Sequence, residues 1–287
     1  MPSVRDMRRR IRSVQNTGKV TNAMSLIAAS KMRRAQLAVT QGRPFAEKIH
    51  DIITHLAAQP SDDEGAVHPL LRERPLQRVG ILVISPDRGL CGGLHSILNR
   101  VVGQFMLEQT APVTAIVAGR KSRDFMIRSG QDVKAVFTEL PERPVLADTT
   151  AISHLVIDSY SEGEVDEVHL AYTRFGSTVS QQPVIEKLLP VSPASLTATE
   201  RVGYIYEPDS LAVLGSLLPR FVEMEVYHAL LESIASEQSA RMVAMRAATD
   251  NANELVDDMT LVMNKIRQES ITNELLDLIG GQIALEG

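Results

Sequence analysis

The sequence predicts an α/β fold in which two long terminal helices pair as a coiled coil and a parallel-sheet domain lies between them. Three observations lead to this fold class. Small and apolar residues recur at helical spacing through both ends of the chain, strand-like and helix-like runs alternate in the middle, and the two ends carry opposite charge. Distinct periodicities in separate parts of a chain indicate distinct structural layers.

The N-terminal segment predicts one long helix with an unusual seam. Residues 3–41 contain no proline and only one glycine. Alternating spacings of three and four form an unbroken heptad register. Its members are Val4, Met7, Ile11, Val14, Gly18, Thr21, Ser25, Ala28, Met32, Ala35 and Val39. Many of these residues are small or polar, whereas a static coiled coil favours isoleucine, valine and leucine.

The C-terminal segment continues this pattern over a greater length. Residues 220–279 contain neither glycine nor proline, and about 60 helical residues span about 90 Å. The register is Leu214, Leu217, Phe221, Met224, His228, Leu231, Ala235, Gln238, Met242, Met245, Thr249, Ala252, Val256, Met259, Met263 and Ile266. Gly280 and Gly281 predict the end of this helix.

Opposite charge favours pairing of the two ends. Residues 1–43 carry ten Lys/Arg and one Asp, whereas residues 207–287 carry five Lys/Arg and fourteen Asp/Glu. Complementary charge sets orientation more than strength. Parallel and antiparallel pairings are both open, and the antiparallel one is simpler because the chain must return through the middle domain.

The middle of the chain predicts βαβ units. Strand-like runs occupy 78–85, 112–118, 132–138, 167–173 and 183–190, and helix-like runs occupy 93–107, 121–129 and 148–161. Such alternation indicates a parallel sheet. The expected division is an N-terminal helix over 1–58, a linker over 59–77, an α/β domain over 78–207 and a C-terminal helix over 208–287.

Composition narrows the function classes. The single cysteine, Cys91, cannot form an internal disulfide, which favours a reducing compartment. A net charge of −5 and the lack of tryptophan disfavour nucleic acid as a partner. No apolar run reaches the roughly 18 residues of a membrane span. The Arg-rich start resembles a transit peptide, but its helical pattern continues far beyond it.

The turn SPDRGLCGGLHS follows the first predicted strand, where a dinucleotide pyrophosphate would bind. Its glycines, Gly89, Gly92 and Gly93, fit neither G-x-G-x-x-G nor the P-loop. Arg120 and Lys121 suit a 2′-phosphate, so an NADP-linked enzyme with helical arms remains an alternative. The simpler interpretation is a tight structural turn, and we expect no cofactor.

Other catalytic patterns are absent from the sequence. The histidines do not form a metal motif, no G-x-S-x-G occurs, and Cys91 is interpreted as a small buried residue rather than a nucleophile. The arginines near the start could bind nucleic acid or anionic lipid, but docking onto an acidic protein surface fits a net acidic chain better. A seam of Met, Ala, Thr, Ser and Gly suits a slim shaft with adaptable contacts, although a static scaffold could share it.

Three stretches resemble the γ subunit of F-type ATP synthases of the bacterial type: SVQNTGKVTNAMSLIAASKMRRAQ, DRGLCGG, and the run from SEQSARMV to GGQIAL at 236–285. The resemblance implies an antiparallel coiled coil inside an α3β3 hexamer and a Rossmann-like domain without nucleotide. The partners would be the α, β and ε subunits and the c-ring, with the membrane reached only through the c-ring. The chain would transmit torque and hold no catalytic residue, cofactor or metal.

The resemblance also assigns residues by matching motifs. Met24, Arg267, Gln268 and Thr272 match positions that contact β subunits. The bearing tip matches Leu275, Leu276, Ile279, Ile283 and Leu285. The foot near the c-ring and ε matches Tyr204, Tyr206, Glu207 and Asp209, and the structural turn matches Asp87, Arg88, Gly89, Gly92 and Gly93.

Departures from the family pattern are small: Pro86 precedes the aspartate of the turn, and Leu94 and His95 follow it. The thiol switch of the chloroplast form needs a cysteine pair that this sequence lacks. The cytoplasmic face of a bacterial membrane is the expected location.

Overall fold

The computed structural model describes residues 3–57, 68–178, 180–191 and 210–286, without the side chains of 43–47, 50, 51, 54–57, 210, 211 and 283–286. Within these residues, five helices and five strands follow one another. In order they are α1 Val4–Ala57, β1 Val79–Ile84, α2 Leu94–Glu108, β2 Val113–Ala118, α3 Arg120–Arg128, β3 Asp132–Phe137, α4 Leu146–Ser161, β4 Glu167–Phe175, β5 Gln181–Leu189 and α5 Ser210–Glu286, with a short 3₁₀ turn at Pro69–Leu71. The α/β fold class with two long terminal helices is confirmed.

The sheet has the strand order β3-β2-β1-β4-β5. The first four strands pair in parallel, as the alternating helices require. The last strand differs from the prediction, because β5 pairs antiparallel with β4. Only five positions in the sequence separate the end of β4 from the start of β5, and so short a connection can join only antiparallel neighbours.

Two compact units make up the described chain. One contains Met1–Ala28 and Met242–Gly287, and the other contains Ala29–Arg241. The long helices contribute to both units. In the larger unit, β1 is buried along its whole length because helices cover both faces of the sheet.

Each face of the sheet has its own core. Ile81 and Val83 of β1 pack with Leu98 and Val102 of α2 and with Met126 of α3. On the other face, the core joins β1, α4, α1 and α5; its members include Leu82, Ile84, Ile152, Val156, Tyr160, Ile49, Ile53, Leu214, Leu218, Val222 and Val226. Residues of the two long helices therefore complete the core of the α/β domain.

Two details of α5 differ from the sequence prediction. Its first stretch buries Leu218, Val222 and Val226, whereas the predicted seam residues Leu217 and Phe221 are half-buried. This stretch packs against the sheet, so the sheet decides which face is buried. The helix also continues through Gly280 and Gly281 to Glu286. A glycine costs only about 1 kcal/mol in a helix, and no proline follows to force an end.

Candidate functional site

In the smaller unit, α1 and α5 run antiparallel. Thr21 Oγ1 lies 2.7 Å from Thr249 Oγ1, and Ser25 Oγ donates a hydrogen bond to the carbonyl of Met242 at 3.3 Å. Rising numbers on α1 thus meet falling numbers on α5. Of the two orientations left open by the sequence, the simpler one is present.

The seam is narrow because its residues are small. A Cβ atom added to Gly18 would meet the Cβ of Ala252 at 3.4 Å, which is ordinary van der Waals contact. Ala28 is 1% exposed and Met245 is 6% exposed. Every predicted seam position of α1 from Val4 to Val39 is buried or half-buried, so the heptad register predicted for this helix is confirmed.

Several apolar side chains of α1 and α5 are exposed to solvent. Leu26 is 67% exposed and Ile27 is 55% exposed. Toward the end of α5, five more large apolar residues are at least half exposed: Ile271, Leu275, Leu276, Leu278 and Ile279. Ile271, Leu275 and Leu278 are spaced to lie on one face of α5, and clustered exposed apolar residues indicate an interaction site.

The sequence-predicted contact residues fall in different environments. Arg267, Gln268 and Thr272 are exposed, whereas Met24 is half-buried. The hydroxyl of Thr272 donates to the backbone carbonyl of Gln268 at 2.9 Å. The side chains of Ile283 and Leu285 lie outside the described residues, as do the predicted foot residues Tyr204, Tyr206, Glu207 and Asp209.

The predicted structural turn joins β1 to α2 and is organised by one carboxylate. Asp87 accepts the backbone N–H of Arg120 and of Glu139, each at 2.8 Å. It thereby links the carboxyl ends of β1, β2 and β3. The backbone reverses through Leu90 and Gly92, with φ of 65° and 60°. Glycine adopts this left-handed conformation at little cost.

The carboxyl ends of β1 and β4 are covered by α5. Ser233 Oγ donates to the carbonyl of Ile84 at 3.4 Å, and Ser236 Oγ donates to the carbonyl of Thr173 at 3.0 Å. Arg241 Nη2 donates to the carbonyl of Gly89 in the turn at 3.2 Å. In dinucleotide-binding folds a ligand occupies the crevice outside these strand ends. Here side chains of α5 donate to carbonyls at those strand ends.

The residues of the NADP alternative are engaged elsewhere. Arg120 Nη2 donates to Glu139 at 2.7 Å, so its guanidinium already pairs with a carboxylate. The Lys121 side chain packs beside Gly89, about 4.0 Å from the position of an added Cβ. Arg120 is therefore paired with an acidic group, whereas Lys121 lines a separate cavity of about 920 Å³ between α2 and α3.

Cys91 is buried, with 1% of its surface exposed. Burial raises the pKa of its thiol, and the charge of Glu237 acts in the same direction. Its Sγ atom lies 3.8 Å from His95 Nδ1, which is a weak contact. A thiol with a raised pKa is a poor nucleophile, so the geometry favours the interpretation as a buried small residue. Among the described side chains, no group of His, Cys, Asp and Glu could hold a metal ion.

Sequence reasoning missed the polar residues that seat α5. Glu232 is 4% exposed and accepts the backbone N–H of Phe175 at 3.3 Å. Ser236 and Ser239 are fully buried. The signal was the recurrence of polar residues at helical spacing, at 232, 233, 236 and 239, within an otherwise apolar segment.

Among the residues that the structure describes, no helix has the length and apolar character of a membrane span.

The α/β core includes residues of both long helices, and the two helices pair outside that core with exposed apolar side chains. These features are typical of a helical stalk protein. A family model described as ATP synthase matches residues 3–285. The ATP synthase gamma chain of Dehalococcoides mccartyi strain 195 is 56% identical over 285 residues, covering 99% of this chain and 100% of the relative. That of Herpetosiphon aurantiacus is 45% identical over 294 residues, covering 99% of each. The chain belongs to the ATP synthase gamma chain family.

Two solved structures share the fold. A chain of the Euglena gracilis mitochondrial ATP synthase OSCP/F1/c-ring structure matches with a TM-score of 0.66 and 18% identity, covering 98% of this chain and 94% of that chain. A chain of the Tetrahymena thermophila mitochondrial ATP synthase central stalk and c-ring structure matches with a TM-score of 0.59 and 24% identity, covering 80% and 99%.

Proposed function

We propose that this chain is the central rotor shaft of a bacterial F1Fo ATP synthase. It transmits torque from the proton-driven c-ring to the α3β3 hexamer and so drives ATP synthesis. The observation that carries the proposal is the continuity of α5. This one helix is hydrogen-bonded to the strand ends through Ser233, Ser236 and Arg241. Farther along, it contacts α1 at Met242, Thr249 and Ala252.

The chain has no catalytic role in this proposal. ATP chemistry takes place on the β and α subunits, while this subunit changes which state each β site adopts. A contact shifts such an equilibrium only by the difference in its free energy between the two states. A shift from 1:99 to 99:1 needs about 5.5 kcal/mol, which many weak contacts along the helix pair can supply together.

The side chains that make these contacts are proposed from the family match and from their exposure. Arg267, Gln268 and Thr272 bind loops of the β subunits, and Met24 packs against the moving part of β. The bearing tip is formed by Leu275, Leu276, Ile279, Ile283 and Leu285. The exposed surface of the first three supports this assignment, because apolar side chains need a partner to leave water.

The remaining parts have supporting roles. Residues 1–58 and 208–287 form the shaft, 59–77 are a linker, and 78–207 form the Rossmann-like domain that rests on the c-ring and holds ε through the foot residues. The turn with Asp87, Arg88, Gly89, Gly92 and Gly93 is structural. The complex lies on the cytoplasmic face of the cell membrane, and this chain reaches the membrane only through the c-ring.

Reconstitution tests the proposal. The α and β subunits are combined with and without this chain, and ATP hydrolysis is measured. We expect rapid turnover only with the chain, and rotation of a bead fixed to an exposed cysteine introduced at Leu107, which is 81% exposed. A coiled coil of equal length and unrelated sequence is the matched control. Assembly with normal turnover but no rotation would instead identify a static scaffold.

A further inference from the structure

A hydroxyl–hydroxyl contact crosses the seam of the helix pair. Thr21 Oγ1 and Thr249 Oγ1 are 2.7 Å apart, and both side chains are half-buried. We propose that this threonine pair is the positioning contact that fixes the axial register of α1 against α5. The role of this register in torque transfer rests on the proposed function. The register itself is a property of the helix pair and does not depend on that function.

The pair is satisfied whichever hydroxyl donates. Each threonine hydroxyl carries one hydrogen and can accept others. Thr21 Oγ1 lies 3.0 Å from the carbonyl of Gly18, and Thr249 Oγ1 lies 2.8 Å from the carbonyl of Met245. One hydroxyl donates across the seam while the other donates within its own helix, and the reverse assignment uses the same atoms. The contact therefore tolerates rotation of the hydroxyls but not translation of a helix.

The neighbouring seam residues carry little information about register. Gly18, Ala28 and Ala252 present small surfaces, and Met245 adapts to different neighbours. Ser25 donates to the carbonyl of Met242, but every residue of a helix has a carbonyl, so shifted registers offer similar acceptors. The threonine pair is different because both partners are side chains at defined positions.

A shift of one heptad would remove the contact. Thr21 would then lie opposite Met242 or Val256, and neither side chain offers a hydroxyl. Single polar residues at seam positions fix the register of coiled coils in the same way, at a cost in stability. In a rotor shaft, a fixed register keeps the outer residues of α1 and α5 at constant relative heights, so each level presents the same surface on every turn.

Disulfide trapping reports the register directly. A Cβ at Gly18 would lie 3.4 Å from that of Ala252, close to the Cβ separation of about 3.5–4.5 Å in disulfides. Gly18→Cys with Ala252→Cys thus reports the native register. Gly18→Cys with Met259→Cys or Met245→Cys reports a shift of one heptad in either direction. All variants carry Cys91→Ala, and the full chain is oxidised alone and after assembly with α and β.

Removing the two threonine hydroxyls should increase the population of shifted registers. With Thr21→Val and Thr249→Val, we expect the ratio of native to shifted cross-link to fall on the order of fivefold, the effect of about one net hydrogen bond. Thr21→Ser with Thr249→Ser should restore the ratio. Thr17→Val is the matched control, because Thr17 is exposed and its hydroxyl donates to the carbonyl of Ser13 within the same helix.

Two results would overturn the proposal. One is an unchanged cross-link ratio in the double valine variant. The other is an equal fall in the double serine variant, which would assign the register to the threonine methyl groups. The ratio is read from a gel and needs no ATPase activity. A chain that keeps its register but fails to drive rotation would therefore contradict the proposed function and leave this inference intact.

Discussion

Arg241 and Glu237 form an ion pair one turn apart on α5, with 2.6 Å between Nη2 and Oε1. The same guanidinium nitrogen donates to the carbonyl of Gly89. Their side chains are only 11% and 17% exposed. Arg241 therefore links α5 to the turn after β1, and both members of the ion pair are largely buried.

Loss of the arginine should leave a buried carboxylate without its cation. We expect Arg241→Met to lower the free energy of unfolding by about 3 kcal/mol, in line with other broken buried pairs. Urea unfolding followed by circular dichroism measures the change. Arg246→Met is the matched control, since Arg246 is exposed. Adding Glu237→Gln to Arg241→Met should recover part of the loss, and no recovery would contradict this explanation.

The free energy of unfolding should depend on pH because the pKa of Glu237 differs between the folded and unfolded states. Burial raises its pKa above the ordinary 4.5, with Arg241 opposing the shift. The folded state then holds the proton more tightly than the unfolded state. The resulting stability is fully present below the unfolded pKa and is lost as pH rises through the folded pKa.

Glu237→Gln removes that dependence. Its free energy of unfolding, relative to the parent chain, should rise with pH above about 4.5 and level off once Glu237 is ionised in the folded parent. Denaturation series at several pH values provide the measurement. A difference independent of pH would mean that Glu237 titrates normally.

Asp87→Asn should weaken the link between three strand ends. Both carboxylate oxygens accept backbone N–H groups, but an amide has only one acceptor oxygen. We expect a loss of about 1–3 kcal/mol, the cost of one unsatisfied donor. Asp124→Asn changes an exposed carboxylate that pairs with Arg123 and should cost less than about 1 kcal/mol. Equal losses in urea unfolding would exclude the bridging role of Asp87.

Gly119→Ala should be among the most damaging small substitutions. The φ of Gly119 is 116°, and an added Cβ would lie 2.0 Å from the carbonyl oxygen of Ser85. Because backbone must move, we expect a loss of about 3 kcal/mol or more. Gly130→Ala is the control: its φ is 67°, but no atom lies within 4 Å of the added Cβ. It should cost only about 1–2 kcal/mol, measured as the shift in urea midpoint.

Replacement of both Arg267 and Gln268 by alanine tests the proposed grip on the β subunits. ATPase turnover of the assembled complex should fall several-fold, while the circular dichroism of the chain stays unchanged because both residues are exposed. Glu254→Ala is the control, at an exposed position elsewhere on α5. Unchanged turnover in the double variant would remove these residues from the mechanism.

The sequence predicts the elements of this fold well and its long-range polar contacts poorly. The α1 seam follows from periodicity alone, because every third or fourth residue must share a face. The direction of β5 depends on a short loop rather than on its own residues. Asp87 accepts from the backbone of Arg120 and Glu139, and Arg241 donates to the backbone of Gly89. Such backbone partners lie far along the chain and leave no pattern in the sequence. Thr21 and Thr249 were each assigned to a seam, but only the structure pairs them.

The sheet core that includes Ile49 also includes Leu218 and Val226. Residues of one core are therefore synthesised at widely separated times during translation. When β1 leaves the ribosome, the helix that will cover its carboxyl end has not been translated. At about 5–20 residues per second, residue 241 follows roughly eight to thirty seconds after residue 84. During that interval the face of the sheet that α5 will cover keeps apolar side chains exposed, and such surface is prone to aggregation.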